Sequence, residues 1–246
     1  MTVAADRDKQ SIRERIWQRI DADPSVRRAP GAAGRIPNFA GAEVAAARLA
    51  ELPVWQAARV LKLNPDSPQL PVRASAIEAG KLLYMAVPKL ASERPFFALE
   101  RARLRVPAEE AATIDGSARH GVPVRIEDMR PIDLIVCGSV AVNASGVRIG
   151  KGAGYADLEF ALLSELGLVT EQTQIATTVH DLQLSSEPLP ETAHDFRVDL
   201  VVTPTRVLHC ARVQRPRGLV WEDLDPGKIA AIPVLAARAG SFHGAH

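Results

Sequence analysis

Helical periodicity and apolar runs alternate along most of the chain. Over residues 6–21, Ile12, Ile16 and Ile20 fall on one face of a helix with charged residues opposite, which predicts an amphipathic helix. Further helices are predicted over about 42–51 and 73–79, and from Tyr155 onward. Apolar, strand-like runs occupy 57–64, 81–88, 96–104, 132–143, 174–180 and 199–213. Strands that alternate with helices and are apolar on both faces predict an α/β fold, in which helices cover a parallel or mixed sheet.

The segments between these elements are predicted to be less regular. Residues 24–41, rich in proline, glycine and arginine, predict a long loop, and residues 107–131 predict irregular structure or a short helix. The apolar run 132–143 is interrupted by Gly138 and Ser139, so it predicts either one kinked strand or two. We expect residues 1–246 to form a single domain, with an irregular tail from about 213 and a short helix near 234.

Composition excludes several classes of protein. Hydrophobic residues make up 47% of the 246 residues, enough for a substantial core, and the net charge of +1 argues against a general electrostatic affinity for nucleic acid. The charged N-terminal stretch lacks the apolar centre of a signal peptide, and no run approaches the ~20 apolar residues that span a bilayer. We therefore predict a cytoplasmic protein with neither nucleic acid nor a membrane as partner. The pattern leaves the oligomeric state undefined.

The stretch GVRIGKGAGYADLEFALL, residues 146–163, is the main candidate for a binding or catalytic site. Gly150, Gly152 and Gly154 alternate, so backbone N–H groups can converge there without obstruction by Cβ atoms, just before a helix N-terminus that favours anions. With the positive charges of Arg148 and Lys151, this predicts a phosphate site. The alternative is a tight connection between a strand and a helix, in which the glycines serve only backbone geometry. Neither a Walker A loop nor a dinucleotide-binding fingerprint has this spacing.

Two sets of acidic and histidine residues allow more than one interpretation. Asp157 either complements the dipole of the helix that follows the glycines or binds Mg²⁺ beside phosphates. His180 lies next to Asp181, and a transition-metal site with His194 and Asp195 is conceivable, but the spacing favours ordinary hydrogen bonds. An acid–base or substrate-orienting role for His180 is the functional alternative.

Arginines in the loop 24–41 form a separate candidate. Arg27, Arg28 and Arg35 could bind an anionic substrate tail such as a polyglutamate, or they could simply form an exposed basic loop.

Three stretches carry a resemblance to a known family, in the right order along the chain. KQSIR in the first helix supplies Lys9 and Arg13, and the segment LPETAHDFRVDLVVTPT supplies His194, Asp195 and Asp199. In the glycine stretch, the matching residues are Gly146, Arg148, Gly150, Gly152, Gly154, Tyr155 and Asp157. Together they resemble the 5-formyltetrahydrofolate cyclo-ligases (methenyltetrahydrofolate synthetases), and in particular the divergent branch of methenyltetrahydrofolate synthetase domain-containing proteins. Some animal members of that branch also carry an RNA-recognition module, but no aromatic RNP-like motif is present here.

The resemblance implies a three-layer α/β sandwich of the ribose-isomerase/CoA-transferase type, with a mostly parallel central sheet. It implies ATP and Mg²⁺ as cofactors and a reduced folate or related heterocycle as the small-molecule substrate, converted from 5-formyltetrahydrofolate to 5,10-methenyltetrahydrofolate through a phosphorylated formyl group. The implied nucleotide-binding residues are Lys9, Arg13, Arg148, Gly150, Lys151, Gly152, Ala153, Gly154, Tyr155 and Asp157. The implied metal ligands are Asp157 with Asp195 or Asp199, and the catalytic candidates are Arg148, Lys151, Tyr155 and His180. Arg148 and Lys151 are expected on a loop.

The chain departs from the family pattern on the side that would hold a pterin. It has no acidic residue between Pro68 and Arg73, it has CGSVAVN where a phenylalanine-containing run is usual, and Ala156 replaces a tyrosine. Two alternatives therefore stay open. One is an ATP-using paralogue with a non-folate, for instance thiamine-related, substrate; the other is a nucleotide- or folate-binding protein without turnover.

Overall fold

A computed structural model describes residues 3–242 of the chain. Its α-helices are α1 (Val3–Asp21), α2 (Ala42–Ala50), α3 (Pro53–Ala57), α4 (Leu70–Glu78), α5 (Ala108–Ala111), α6 (Ile114–His120), α7 (Tyr155–Glu165), α8 (Pro226–Ala231) and α9 (Pro233–Phe242). Its strands are β1 (Val60–Leu63), β2 (Leu82–Ala86), β3 (Phe96–Leu99), β4 (Val122–Val124), β5 (Leu134–Cys137), β6 (Ala141–Asn143), β7 (Arg148–Ile149), β8 (Gln174–Thr178), β9 (Leu184–Ser185), β10 (Leu200–Val202) and β11 (Val207–His209).

Eight of these strands form one large sheet in the order β11-β10-β8-β5-β1-β2-β3-β4. The five central strands, from β10 to β2, run parallel to one another. The antiparallel strands β11, β3 and β4 lie at the two edges. The predicted α/β fold with a mostly parallel central sheet is therefore confirmed.

Alternate residues of the central strands pack against helices on opposite faces of the sheet, as the pleat requires. In β1, Leu61 and Leu63 belong to the core shared with α2, α3 and α4, whereas Val60 belongs to the core that contains Leu158 and Leu162 of α7. Because both faces are covered, the central strands are mostly apolar, which explains the long apolar runs in the sequence. Lys62, on the α7 side of β1, is the charged exception.

A second, three-stranded sheet of β7, β6 and β9 supports helix α1. Ile16 and Ile20 of α1 pack in one buried cluster with Val140 and Ile149. The apolar run 132–143 supplies a strand to each sheet, β5 and β6, which resolves the alternative left by the sequence in favour of two strands. The bend falls at Gly138, where a Cβ atom would lie 2.9 Å from Ile36 Cγ1.

Several predicted boundaries differ from the structure. Helix α4 begins at Leu70 rather than Arg73, because a proline is tolerated in the first helical turn. Strand β3 ends at Leu99, where a short 3-10 helix follows, and residues 107–131 contain α5, α6 and β4. The tail is irregular only up to about residue 220, because α8 and α9 follow it. Within residues 3–242, no helix combines the length and apolar character that crossing a membrane requires.

Candidate active site

The glycine stretch forms the loop that connects β7 to α7, and it separates two cavities. Gly152 and Gly154 have φ angles of +103° and +68°, the left-handed region in which side chains are strained. Gly150 does not lie in that region, and a Cβ atom there would meet only Arg148 Nη1, at 3.4 Å. Backbone geometry therefore explains two of the three glycines and leaves the third without a conformational reason.

The first cavity, about 190 Å³, lies between the glycine loop and helix α1. Lys9 and Arg13 reach it from α1, because residues four apart share one face of a helix. The Nε group of Arg13 donates a hydrogen bond to the carbonyl of Gly150 at 2.7 Å. Lys9 forms an ion pair with Asp195, which also lines the cavity. The structure thus brings two of the resemblance-based candidates in α1 to the glycine loop.

Arg148 lies at the centre of the site and lines both cavities. It is in strand β7 and only 3% exposed, so the expectation that it lies on a loop is wrong. Its guanidinium pairs with the carboxylate of Asp157 and stacks 3.9 Å from the ring centroid of Phe196. Burial lowers the pKa of Arg148, but the combined attraction of nearby acidic groups, Asp157 foremost, outweighs it and raises that pKa, so the side chain stays charged. Its Nε is buried without a hydrogen-bond partner among the described residues.

The two carboxylates on the first cavity are each paired with a cation. Asp157 contacts Arg148, and Asp195 contacts Lys9 and accepts a backbone hydrogen bond from Thr192 at 2.6 Å. Burial raises the pKa of Asp195, but the hydrogen bonds from Lys9 and Thr192 outweigh it and hold the pKa below its ordinary value. Asp195 is therefore ionised at neutral pH.

Asp199 is placed elsewhere, so the alternative that made it a metal ligand is not supported. It lines neither cavity; its Oδ2 accepts hydrogen bonds from the backbone of Ile175 at 2.8 Å and from Arg215 at 2.5 Å. Among the described residues, no group of three or more His, Cys, Asp or Glu side chains could hold a metal alone. Asp157 and Asp195 fit the way Mg²⁺ is usually bound, through one or two carboxylates together with phosphate oxygens.

Lys151 and Tyr155 face the second cavity, about 400 Å³, on the other side of the loop. The Nζ of Lys151 pairs with Asp66 Oδ1 at 2.8 Å, and 42% of the lysine side chain is exposed. Ala153 lines this cavity as well. The two basic residues that flank Gly150 therefore differ in environment, since Arg148 is buried between the cavities and Lys151 lies on the surface of one of them.

A buried ion pair beside the second cavity was not among the sequence-based candidates. Lys62 of β1 and Glu159 of α7 pair with side-chain exposures of 3% and 6%, and Lys62 Nζ also donates to Asn64 Oδ1 at 2.7 Å. Glu159, Asn64 and Asp66 all line the cavity. The segment between Pro68 and Arg73 has no acidic residue, but the fold supplies two carboxylates from other positions. In the sequence, this ion pair was indicated by Glu159, a charged residue inside the apolar run LEFALL of residues 158–163.

Arg73 fixes the loop that carries Asn64 and Asp66 to the second cavity. It is fully buried, and its Nη1 donates hydrogen bonds to the carbonyls of Asn64 at 2.6 Å and Asp66 at 2.9 Å. Burial lowers the pKa of Arg73 to about 10, and nearby Asp66 opposes the shift. The arginine is thus a structural support for the cavity wall.

His180 is not positioned for the predicted acid–base role. It lines neither cavity, its Nδ1 accepts a hydrogen bond from the backbone N–H of Leu182 at 3.2 Å, and its ring packs 5.8 Å from that of Phe39. These contacts cap a short 3-10 helix, so His180 has a local structural role. Of the loop arginines, only Arg35 lines the second cavity; Arg27 and Arg28 do not.

Residues of the C-terminal segment also join the site without having been predicted to do so. Gly218, Leu219, Val220, Asp223, Leu224 and Lys228 complete the wall of the first cavity. His194, which also lines it, pairs through Nε2 with Asp223 Oδ2 at 2.9 Å. The sequence pattern offered no signal for this, because the segment contacts parts of the chain that are distant in sequence.

Comparison with known proteins identifies the family. A sequence model described as the 5-formyltetrahydrofolate cyclo-ligase family matches residues 5–204. The chain belongs to that family. It is 39% identical over 237 residues to a methenyltetrahydrofolate synthase domain-containing protein of Mus musculus, and 35% identical over 236 residues to that of Homo sapiens. Each alignment covers 92% of this chain, which spans only 62% and 60% of those two proteins.

A solved structure supports the cyclo-ligase fold. The NMR structure of Aquifex aeolicus 5,10-methenyltetrahydrofolate synthetase superposes with a TM-score of 0.54 at 20% identity, over 84% of this chain and 94% of that one. The sequence match therefore shows the family, and the structural match shows the fold.

Proposed function

We propose that the protein converts 5-formyltetrahydrofolate to 5,10-methenyltetrahydrofolate with the hydrolysis of Mg·ATP to ADP and phosphate. The observation that carries the proposal is the position of Arg148. A buried, charged guanidinium with an unpartnered Nε lies where the two cavities meet beside the glycine loop. A phosphoryl group that passes from one cavity to the other would pass this side chain.

The first cavity fits the phosphates of ATP. Lys9, Arg13 and Arg148 bring positive charge from two elements, and the loop contributes the space left free at Gly150. Asp157 and Asp195, which neutralise two of these cations, would hold Mg²⁺ directly or through its waters. Bound there, Mg²⁺ would neutralise charge on the phosphate oxygens during transfer.

The second cavity would hold the folate. Tyr155 and Ala156 line it next to the loop, and the carboxylates of Asp66 and Glu159 can accept hydrogen bonds from ring N–H groups. Arg35, at the same cavity, would meet the negatively charged glutamate tail. Lys151 lies on the wall of this cavity and would contact the phosphoryl group from the substrate side.

The chemistry needs positioning and charge neutralisation rather than a nucleophile from the protein. The formyl oxygen forms a bond to the γ-phosphorus as the bond to the ADP oxygen breaks. N10 then attacks the formyl carbon and loses its proton, and inorganic phosphate leaves. Arg148 would stabilise the transferring group and then the departing phosphate, since it adjoins both cavities.

A second candidate is an ATP-using enzyme with a non-folate heterocycle as substrate. It is favoured by Ala156, which lines the second cavity where the family pattern has a tyrosine.

Steady-state turnover by two single variants, each with one arginine replaced by lysine, tests the proposal. Arg148→Lys keeps the charge but loses the planar, multi-donor geometry, so we expect kcat/KM for methenyl formation to fall roughly 10²-fold. Arg103→Lys, at an exposed arginine that lines neither cavity, is the matched control, and its kcat/KM should be unchanged. Equal activity of the two variants would remove Arg148 from the mechanism. Turnover of ATP in the presence of other heterocycles, without any methenyl product from the folate, would favour the second candidate.

A further inference from the structure

The segment that follows the family-matched residues is anchored beside the first cavity. Arg215 pairs with Asp199, and the backbone N–H of Leu219 donates to Glu165 of α7 at 3.2 Å. Farther on, Ile232 and Leu235 are buried in the same core as α7, with exposures of 1% and 0%. These contacts at both ends fix the path of the residues between them.

Between those anchors, the segment closes one side of the first cavity. Asp223 pairs with His194, which precedes Asp195 in the motif that contacts Lys9. The chain then turns into α8, whose N-cap Asp225 accepts a hydrogen bond from the backbone N–H of Lys228 at 2.8 Å. This cap fixes the backbone position of Lys228 in the first turn of α8.

Lys228 reaches the glycine loop itself. Its Nζ donates a hydrogen bond to the carbonyl of Ala153 at 2.8 Å and lies 4.9 Å from the centroid of the Tyr155 ring. It also lines the first cavity, and a Cβ atom at Gly154 would come within 3.3 Å of Nζ. An ammonium group has three N–H donors, so one bond to Ala153 leaves two that can face a ligand.

We propose that Lys228 is a phosphate-binding residue of this site, supplied by the C-terminal segment and completing the set of Lys9, Arg13 and Arg148 on the remaining side of the first cavity. The proposal rests on the proposed function, because it takes the occupant of that cavity to be the triphosphate of ATP. It gives the C-terminal segment, which lies after residues 5–204, a direct part in nucleotide binding.

Calorimetric titration of the full chain with Mg·ATP, and separately with inorganic tripolyphosphate, tests this role. Lys228→Met keeps an unbranched side chain but removes the charge, and we expect it to raise both dissociation constants about tenfold. Lys228→Arg should restore binding to within about threefold of wild type. Arg217→Met, at an exposed arginine of the same segment that lines neither cavity, is the matched control and should bind as wild type does.

Three results would count against the proposal, and they are distinguishable. Wild-type affinity in Lys228→Met would exclude a contact between Lys228 and phosphate. Equal loss of affinity in Lys228→Met and Lys228→Arg would indicate that Lys228 only stabilises the loop. Neither result contradicts the proposed function. Failure of the wild-type protein to bind either ligand would overturn the proposed function itself, and this inference with it. Urea unfolding of each variant verifies that loss of affinity is not loss of fold.

Discussion

The three glycines of the loop give the sharpest prediction, because the structure assigns them different reasons. Gly152 and Gly154 have positive φ angles, and an alanine in that region costs about 1–2 kcal/mol. Gly150 lies outside it, and the methyl group of an alanine there would make only an ordinary contact with Arg148 Nη1 at 3.4 Å. A glycine without a conformational or packing reason, beside a cavity, is best explained by the close approach of a ligand.

We therefore expect the alanine variants to separate stability from binding. Gly152→Ala and Gly154→Ala should each lower the free energy of unfolding by about 1–2 kcal/mol. Gly150→Ala should leave it unchanged or raise it by about 0.4–1 kcal/mol, since alanine reduces the entropy of the unfolded chain. Its methyl group would occupy space at the edge of both cavities, so affinity for Mg·ATP should fall about tenfold.

Urea unfolding followed by tryptophan fluorescence, combined with calorimetric titration of Mg·ATP, measures both quantities on the same preparations. Wild-type affinity for Mg·ATP in Gly150→Ala would refute the close approach of a ligand to Gly150. A loss of stability in Gly150→Ala equal to that in Gly152→Ala would indicate instead that all three glycines serve only the turn.

Two further predictions concern buried charges. Lys62→Met should lower the free energy of unfolding by about 3–5 kcal/mol, because it leaves Glu159 buried without its partner. The double variant Lys62→Met/Glu159→Leu should be more stable than Lys62→Met alone. Additive losses of stability on urea unfolding would show that the pair is not coupled. The pKa of Asp195 is lowered in the folded state, so its contribution to stability is complete above its unfolded pKa of about 3.9 and is lost as pH falls through the lower folded value. Asp195→Asn should therefore lose less stability than wild type between about pH 5 and pH 2, and parallel pH profiles would contradict the ion pair with Lys9.

Local periodicity predicted much of the fold, whereas the site candidates in α1 came from the family resemblance. Charged residues on an amphipathic helix usually face solvent, so the pattern alone favours an exposed position for Lys9 and Arg13, but the structure places both on the first cavity. The apolar strands were recognisable because a parallel sheet covered on both faces has few polar positions to interrupt them. Periodicity failed at Arg148, which was expected on a loop but lies in a two-residue strand too short to produce any pattern.

The remaining features depend on contacts between distant parts of the chain. Lys62 and Glu159 are 97 residues apart, and Lys228 and Ala153 are 75 apart, so no local pattern could pair them. Asp195 and Asp199 are four residues apart in the same motif, but Asp195 pairs with Lys9 at the first cavity, whereas Asp199 forms an ion pair with Arg215. Only the tertiary path of the segment distinguishes the two carboxylates.

In the proposed function, the two cavities hold Mg·ATP and 5-formyltetrahydrofolate on either side of Arg148. The most direct test mixes both with the wild-type protein and follows methenyl absorbance together with ADP release. We expect one ADP for each methenyl product, and no product when either ATP or Mg²⁺ is left out. Binding of Mg·ATP without any methenyl product would contradict the folate assignment, and the absence of both would contradict the site.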